Sequence, residues 1–230
     1  MDKSVEGVDK VRDARFHGKN VLGIFAKEPL SGQVKTRFCP PLSPAEAADL
    51  YTVSLRESVA RLSAGAWRTV IFYAGARDYF VRAFPGVDLL AQQGADLGTR
   101  MGNALSGLLA AGARAAVLSG TDSPDLPLSH VQAAFTVLGE QEVVVAPAQD
   151  GGYVLIGESR HYPELFMDIP WSTPQVLALT RKRAREAGIG LQELAPWEDL
   201  DDLAALRALL KRSPASATAH YLQTHFAHIL

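Results

Sequence analysis

The sequence predicts an α/β protein in which helices cover both faces of a largely parallel sheet. Short apolar runs, each long enough for a buried strand, alternate along the chain with longer segments of helical periodicity. This alternation is typical of parallel sheets, because parallel neighbours need a crossover connection between them. The length of 230 residues and the 47% hydrophobic content suit one domain with a sizeable core.

Seven strands and six helices follow from these patterns. The strands are predicted over residues 21–26, 69–73, 87–91, 115–118, 143–147, 152–157 and 191–194, and the helices over residues 44–63, 96–111, 129–138, 173–187, 203–211 and 214–226. Capping boxes mark two helix starts, Ser43-Pro44-Ala45-Glu46 and Ser129-His130-Val131-Gln132. No helix separates the strands at 143–147 and 152–157, so they form a hairpin or place one antiparallel strand in a mixed sheet.

Composition excludes several classes of partner. The 23 basic and 25 acidic residues give a net charge of −2, which offers no global field for nucleic acid or a membrane surface. The single Cys39 excludes an internal disulfide, and no apolar run reaches the roughly 18 residues of a membrane span. Residues 1–19 lack the apolar core of a signal peptide and are predicted to be a flexible extension before one domain over 20–230. We expect a cytoplasmic protein.

The central candidate for chemistry is the stretch 115–126, an apolar run that breaks into turn residues. Asp122 is therefore predicted at the carboxyl end of a central strand, the edge where open α/β sheets bind ligands. A carboxylate there can hold a divalent cation, and the cation can hold phosphates. We predict Asp122 as a metal ligand and Thr121 as a nucleotide-binding residue. The alternative is that Asp122 and Asp125 only cap the following turn.

The loop after the first strand supplies positive charge. It carries Lys27, Lys35 and Arg37, which can neutralise phosphates, and the arginine can bind them bidentately. Its spacing is not that of a Walker A loop, and the chain lacks the Gly-x-Gly-x-x-Gly fingerprint of nicotinamide and flavin sites. We predict all three residues as nucleotide-binding, with a solvated basic loop as the alternative.

A second candidate loop joins the third strand to the next helix. Gly94 lets backbone approach a ligand closely, and Gln93 offers both a donor and an acceptor to the edge of a base. We predict Gln93, Gly94 and Arg100 as nucleotide-binding residues. A helix cap at Asp96 and a surface role for Arg100 are the simpler alternatives.

Further acids lie near other strand ends. Asp150 precedes the sixth strand, and Asp199 and Asp201 lie in a late loop. Several carboxylates that converge without a His or Cys cluster favour a hard cation, Mg²⁺ or Mn²⁺. We predict Asp199 and Asp201 as further metal ligands, with an acidic helix N-terminus as the alternative. If the protein transfers a group to an acceptor molecule, Asp150 is the candidate for orienting or deprotonating that acceptor.

These motifs, taken in order, resemble the bacterial transferases called radical-SAM/selenodomain-associated transferase 1. The resemblance covers about Val21 to Leu210. It rests on Lys27-x-Pro29-x-x-Gly32-x-Val34-Lys35-Thr36-Arg37, Asp96-Leu97-Gly98-x-Arg100-Met101, Gly120-x-Asp122-x-Pro124-Asp125-Leu126-Pro127, Pro147-Ala148-x-Asp150-Gly151-Gly152-Tyr153 and Ile169-Pro170-Trp171-Ser172-Thr173. That family is similar to GT-A nucleotide-diphospho-sugar transferases and, more distantly, to molybdenum-cofactor and 2-phospholactate guanylyltransferases.

The resemblance implies a three-layer α/β/α, Rossmann-like GT-A fold with a mostly parallel mixed sheet, formed by a single GT-A-like domain. It also implies nucleotide binding at the first-strand loop and at Gln93 to Arg100, a metal at Asp122, and further metal ligands at Asp199 and Asp201. The chain departs from the related families at two places. It lacks the Gly-Gly phosphate loop of the guanylyltransferases, and Ala205 stands at the third acidic position of the late motif.

The sequence therefore predicts a metal-dependent transferase with Mg²⁺ or Mn²⁺ as cofactor and a nucleotide-linked donor. An NDP-sugar is favoured over an NTP, because the Gly-Gly loop is missing, and such a donor makes the protein a glycosyltransferase. One alternative is a nucleotidyltransferase that combines an NTP with a phosphorylated acceptor, and another is a nucleotide-binding module without turnover. The expected partners are the donor and a small-molecule acceptor, with neither nucleic acid nor membrane.

Overall fold

The computed structural model describes residues 16–229 and contains, within that range, a seven-stranded sheet. The strands are β1 (Asn20–Lys27), β2 (Arg68–Ala74), β3 (Asp88–Ala91), β4 (Ala115–Ser119), β5 (Val143–Pro147), β6 (Tyr153–Glu158) and β7 (Leu191–Glu193). They lie in the order β3-β2-β1-β4-β6-β5-β7. The strand β6 is antiparallel to both of its neighbours, and the remaining pairs are parallel. The predicted mostly parallel mixed sheet is confirmed.

Helices cover both faces of this sheet. They are α1 (Pro44–Leu62), α2 (Arg77–Ala83), α3 (Leu97–Ala110), α4 (Leu128–Val137), α5 (Val176–Ala187), α6 (Leu203–Arg212) and α7 (Ala217–His225). Apolar residues of α1, α2 and α4 pack on one face, and those of α3 and α5 pack on the other. A third apolar cluster joins α6 and α7 to the start of α1. The three-layer architecture is therefore confirmed.

Local sequence signals account for some helix starts and not for others. Ser43 caps α1 as predicted, because its side chain accepts from the Glu46 N–H while Glu46 accepts from the Ser43 N–H. The capping box predicted at Ser129 is wrong, since α4 already begins at Leu128 without a side-chain cap. The helix α2 was not predicted. It is one short crossover helix whose N-terminus lacks a side-chain cap, so it carries little local signal.

The antiparallel strand β6 places its amino-terminal end at the functional edge. Residues 148–152 connect β5 to β6, and so short a connection cannot return the chain for a parallel pairing. Both sequence alternatives hold, because β5 and β6 form a hairpin and β6 is also the antiparallel member of a mixed sheet. The loop before β6 consequently lies beside the carboxyl ends of β4 and β5.

The described chain begins before the first strand. Phe16 is buried in the core cluster beneath α3, and the Gly18 N–H donates to the Gly112 carbonyl oxygen at 2.8 Å. The end of the predicted extension is therefore packed against the domain, whereas residues 1–15 lie outside the described residues. Among residues 16–229, no helix combines the length and the apolar character that crossing a membrane requires.

Candidate active site

A cleft of about 480 Å³ opens at the carboxyl edge of β1 and β4. Its walls come from the loop after β1, the first turn of α3, the end of β4 and the beginning of β6. Small-molecule sites usually have volumes of roughly 300–1,000 Å³, so the cleft is large enough for a nucleotide. The predicted site residues that line it are Lys27, Lys35, Arg37, Arg100, Thr121, Asp122 and Asp201. Those that do not are Gln93, Gly94, Asp150 and Asp199.

Lys35 lies between two acidic segments. Its side chain is only 7% exposed, and its Nζ is 2.6 Å from Asp122 Oδ1 and 3.8 Å from Asp201 Oδ1. The same ammonium donates to the Leu200 carbonyl oxygen at 2.5 Å. The backbone φ of Lys35 is 50°, in the left-handed region, so the chain turns sharply before the short helix Thr36–Phe38. Lys35, predicted as a nucleotide-binding residue, therefore lies at the site, and its ammonium is already paired with acids there.

Arg37 reaches the same acids from a more exposed position. Its Nη1 is 2.5 Å from Asp201 Oδ2. The next residue, Phe38, is buried in the apolar cluster with α6 and α7, and Leu200 is buried in that cluster as well. The C-terminal helices therefore support both the basic loop and the acidic segment that precedes α6. This support comes from residues far apart in the sequence.

Three of the predicted acids meet beside the cleft. Carboxylate oxygens of Asp150, Asp199 and Asp201 all lie within 4.8 Å of one another. Burial is the largest cause that raises the pKa of Asp199 to about 6, and repulsion from Asp201, Asp150 and Asp122 adds to it. An all-carboxylate group with this mutual repulsion suits a hard divalent cation such as Mg²⁺ or Mn²⁺.

Asp150 supplies a carboxylate that the late acidic motif lacks. Ala205, at the third acidic position of that motif, lies in the first turn of α6, where its N–H donates to Asp202 Oδ1 at 2.8 Å. Asp150 Oδ1 accepts from the Gly152 N–H at 2.8 Å, which orients the carboxylate within its loop. The sequence interpretation assigned Asp150 to the acceptor, and the structure also places it within the acidic group.

Asp122 borders this group without belonging to it. Its side chain is 52% exposed and is paired with Lys35. Its carbonyl oxygen accepts from the Leu200 N–H at 2.7 Å, which joins the turn after β4 to the segment that carries Asp199 and Asp201. Its charge also contributes to the raised pKa of Asp199. The role of Asp122 as a metal ligand stays a prediction.

The repulsion within the acidic group gives a pH-dependent prediction for Asp199→Asn. In the folded protein the pKa of Asp199 is about 6, above its ordinary value of 3.8. The folded state therefore holds a proton that the unfolded state releases, and stability falls as the pH rises between these two values. Asparagine removes this loss. We expect Asp199→Asn to stabilise the metal-free protein by about 1 kcal/mol at pH 8, a figure reduced for solvent screening of a partly exposed group.

Urea unfolding in EDTA at about pH 4.5 and about pH 8 checks this expectation. The stabilisation should be complete at the higher pH and about a third as large at the lower one, where folded Asp199 is mostly protonated but unfolded Asp199 is already mostly ionised. The exposed Asp168, paired with Arg183 on the surface, gives the control variant Asp168→Asn. Equal effects of Asp199→Asn at both pH values would contradict the raised pKa.

Thr121 anchors the turn that carries Asp122. Its buried hydroxyl lies 3.0 Å from the Tyr51 hydroxyl, and its carbonyl oxygen accepts from Ser54 and Ser58 of α1. Tyr51 also accepts from the Lys27 N–H at 3.0 Å and lines the cleft. Burial is the largest cause that raises the pKa of Tyr51 to about 12, and Asp122 adds to it. The sequence analysis did not identify Tyr51.

The loop before α3 uses its residues differently from the prediction. Gln93 lies outside the cleft lining, and its carbonyl oxygen accepts from Asn103. Gln92 lines the cleft instead, and its Nε2 donates to the Phe72 carbonyl oxygen at 2.9 Å. Gly94 has φ +142°, and its carbonyl oxygen accepts from Arg100 Nε at 3.0 Å. Gly94 thus helps to orient Arg100, which does line the cleft.

Comparison with known families and structures agrees with this architecture. Residues 58–173 match the family described as uncharacterised proteins conserved in bacteria (DUF2064). No curated protein sequence matches the chain. A provisionally named nucleotide-diphospho-sugar transferase from Desulfovibrio desulfuricans G20 is 31% identical, with 91% of this chain and 96% of that chain covered and a TM-score of 0.85.

Two more distant structures share the fold. The CMP:2-keto-3-deoxy-manno-octonic acid synthetase complexed with CTP is 12% identical over 90% of this chain and 100% of that chain, with a TM-score of 0.57. A cytidylyltransferase from Leptospira borgpetersenii serovar Hardjo-bovis is 12% identical over 92% and 96% of the two chains, also with a TM-score of 0.57. The family resemblance and the general class of transferase predicted from the motifs are confirmed.

Proposed function

The chain belongs to the DUF2064 family, and we propose that it is a metal-dependent glycosyltransferase that uses an NDP-sugar. Its fold is also that of a nucleotide-diphospho-sugar transferase and of two cytidylyltransferase-like enzymes. The observation that carries this proposal is the meeting of two opposite charges at one end of the cleft. Lys35 and Arg37 approach it from the loop after β1, and acids approach it from the other side. Phosphates need the cations, and a divalent cation needs the acids.

The acids divide into metal ligands and an acceptor-facing residue. In this proposal Asp199 and Asp201 hold Mg²⁺ or Mn²⁺ through their clustered oxygens, and Asp122, whose charge acts on Asp199 from the border of that cluster, is the third ligand. Asp150 is the exposed member of the clustered acids, so we assign it to orienting or deprotonating the acceptor at the rim. When bound, the cation stabilises the negative charge that develops on the leaving diphosphate.

The basic residues are assigned to the donor. Arg37 is exposed beside Asp201 and presents its guanidinium to a diphosphate, while Lys35 offers an ammonium from inside the cleft. Lys27, the last residue of β1, also lines the cleft and is assigned to the donor. Arg100, oriented by Gly94, is assigned to the nucleoside end of the donor. Thr121 lines the cleft beside Tyr51 and is assigned to the nucleotide, whereas Gln93 lies outside the cleft lining and has no role in this proposal.

Two observations support a diphosphate sugar over a triphosphate. The loop after β1 lacks the paired glycines that cradle a triphosphate in the resembling guanylyltransferases. The relative from Desulfovibrio desulfuricans also has the name of a nucleotide-diphospho-sugar transferase. The acceptor in this proposal is a small molecule that enters beside Asp150.

Calorimetric titration of the full chain with NDP-sugars and NTPs, each with and without Mn²⁺, tests the function. We expect NDP-sugars to bind about tenfold more tightly than NTPs, a difference of about 1.4 kcal/mol, and only when Mn²⁺ is present. Released NDP in the presence of acceptors would establish glycosyl transfer. Tighter binding of an NTP with pyrophosphate release would instead establish a nucleotidyltransferase. Binding without any product across a broad acceptor screen would favour a non-catalytic module.

A further inference from the structure

Lys35 differs from the other cations of its loop, because its charge is buried among the acids. Its side chain is 7% exposed, whereas that of Arg37 is 65% exposed. Its ammonium contacts Asp122 at 2.6 Å, the Leu200 carbonyl oxygen at 2.5 Å and Asp201 at 3.8 Å. Three oxygens around one positive charge form the kind of environment that a metal ion would also occupy.

The surroundings keep this ammonium in place. Leu200, which supplies the carbonyl oxygen, is 1% exposed and packs in the cluster with α6 and α7. The Phe38 ring lies 5.9 Å from the Lys35 ammonium, and Phe38 belongs to the same cluster. Charge-assisted hydrogen bonds are stronger than neutral ones, and the burial of the Lys35 side chain reduces solvent screening on its side of the pair. The pairing is thus part of the packed structure.

We infer that Lys35 is an internal counter-cation that competes with the metal for Asp122, so that the site binds the metal and the nucleotide diphosphate together. This inference rests on the proposed function. A divalent cation that approaches Asp122 meets both an occupied carboxylate oxygen and a positive charge. The diphosphate offers the ammonium a second set of anionic partners, and Asp122 is then free to bind the metal.

Competition at Asp122 predicts a measurable coupling between the affinity for the metal and the affinity for the diphosphate. If the diphosphate removes the competitor, it must raise the affinity for the metal, and the metal must raise the affinity for the diphosphate by the same factor. Without nucleotide, Lys35 holds the metal affinity low. Replacing Lys35 by methionine should therefore strengthen metal binding and weaken nucleotide binding, two changes of opposite sign. A residue that only bound phosphate would show the second change alone.

The experiment is a titration of Mn²⁺ alone, followed by electron paramagnetic resonance of the free ion, on the wild type, Lys35→Met, Lys35→Arg and Lys27→Met. Lys27 is the matched control, because it lines the same cleft and has no acidic partner within residues 16–229. We expect Lys35→Met to bind Mn²⁺ about tenfold more tightly, within the range of about 5- to 150-fold that coupling usually spans. Lys27→Met should change the affinity by less than about threefold, because salt screens its charge. Lys35→Arg keeps the charge and should resemble the wild type.

A second titration uses ADP, GDP, CDP and UDP with and without Mn²⁺. The factor by which Mn²⁺ improves nucleotide affinity should be larger in the wild type than in Lys35→Met, where only direct attraction between the metal and the phosphates would remain. Mn²⁺ binding by folded Lys35→Met that is no tighter than by Lys27→Met overturns the inference, even if the wild type binds nucleotide with metal. Metal-independent nucleotide binding by the wild type would instead overturn the proposed function. The titration of Mn²⁺ alone would still show whether Lys35 lowers the affinity for the metal.

Discussion

Replacing Asp125 by alanine should cost about 3–5 kcal/mol of unfolding free energy, because it leaves a partly buried arginine without its main partner. The Asp125 side chain is 1% exposed, and Arg212 Nε lies 2.6 Å from its Oδ2. Ser213 Oγ donates to the same oxygen at 2.8 Å. The sequence interpretation of Asp125 as a turn cap is therefore wrong, since these partners lie at the end of α6.

Denaturation in urea measures this loss directly. Asp49→Ala is a matched control, because Asp49 is an exposed acid on α1, and we expect it to change stability by no more than about 0.5 kcal/mol. Arg212 also pairs with Glu198, just before the acidic segment, so loss of Asp125 should loosen that segment as well. A loss below about 1 kcal/mol for Asp125→Ala would mean that the ion pair contributes little to the fold.

Asp122→Asn and Asp201→Asn should each weaken Mn²⁺-dependent nucleotide binding by at least about 100-fold while leaving the protein folded. Asparagine keeps the size of each side chain and removes the charge that attracts a hard cation, and even residues behind the ligands typically change metal affinity by about 10–100-fold. Each variant leaves the Lys35 ammonium with the other acid and the Leu200 carbonyl oxygen, so we expect some loss of stability but a folded protein. Calorimetric titration of nucleotide with and without Mn²⁺ measures the effect.

The control for this pair is Asp168→Asn, which makes the same substitution at an acid whose side chain is 81% exposed. Wild-type metal dependence in Asp122→Asn, together with its loss in Asp201→Asn, would assign the metal to Asp150, Asp199 and Asp201 alone. Unfolding of Asp122→Asn would show instead that Asp122 mainly holds the turn after β4. Unchanged metal dependence in both variants would refute the metal site.

Much of the fold was predictable because its signals are local. A short apolar run predicts a buried strand, and a capping box predicts the start of a helix. Each pattern lies within about ten residues of the sequence. The capping box at Ser43 and the strand before Asp122 illustrate this. The same reasoning placed Asp150, Asp199 and Asp201 near one sheet edge, because the ends of strands in an α/β sheet define where such loops gather.

The sequence by itself determined the class of fold, its strands and the types of residue available to the site. The tertiary structure decided which of those residues meet. Asp125 lies 87 residues from Arg212, and Lys35 lies 165 residues from the Leu200 carbonyl oxygen that it contacts. Such pairs depend on the strand order, on the antiparallel β6 and on how α6 and α7 pack against α1. No local pattern encodes these distances, because they arise only when separate segments bury their apolar faces together.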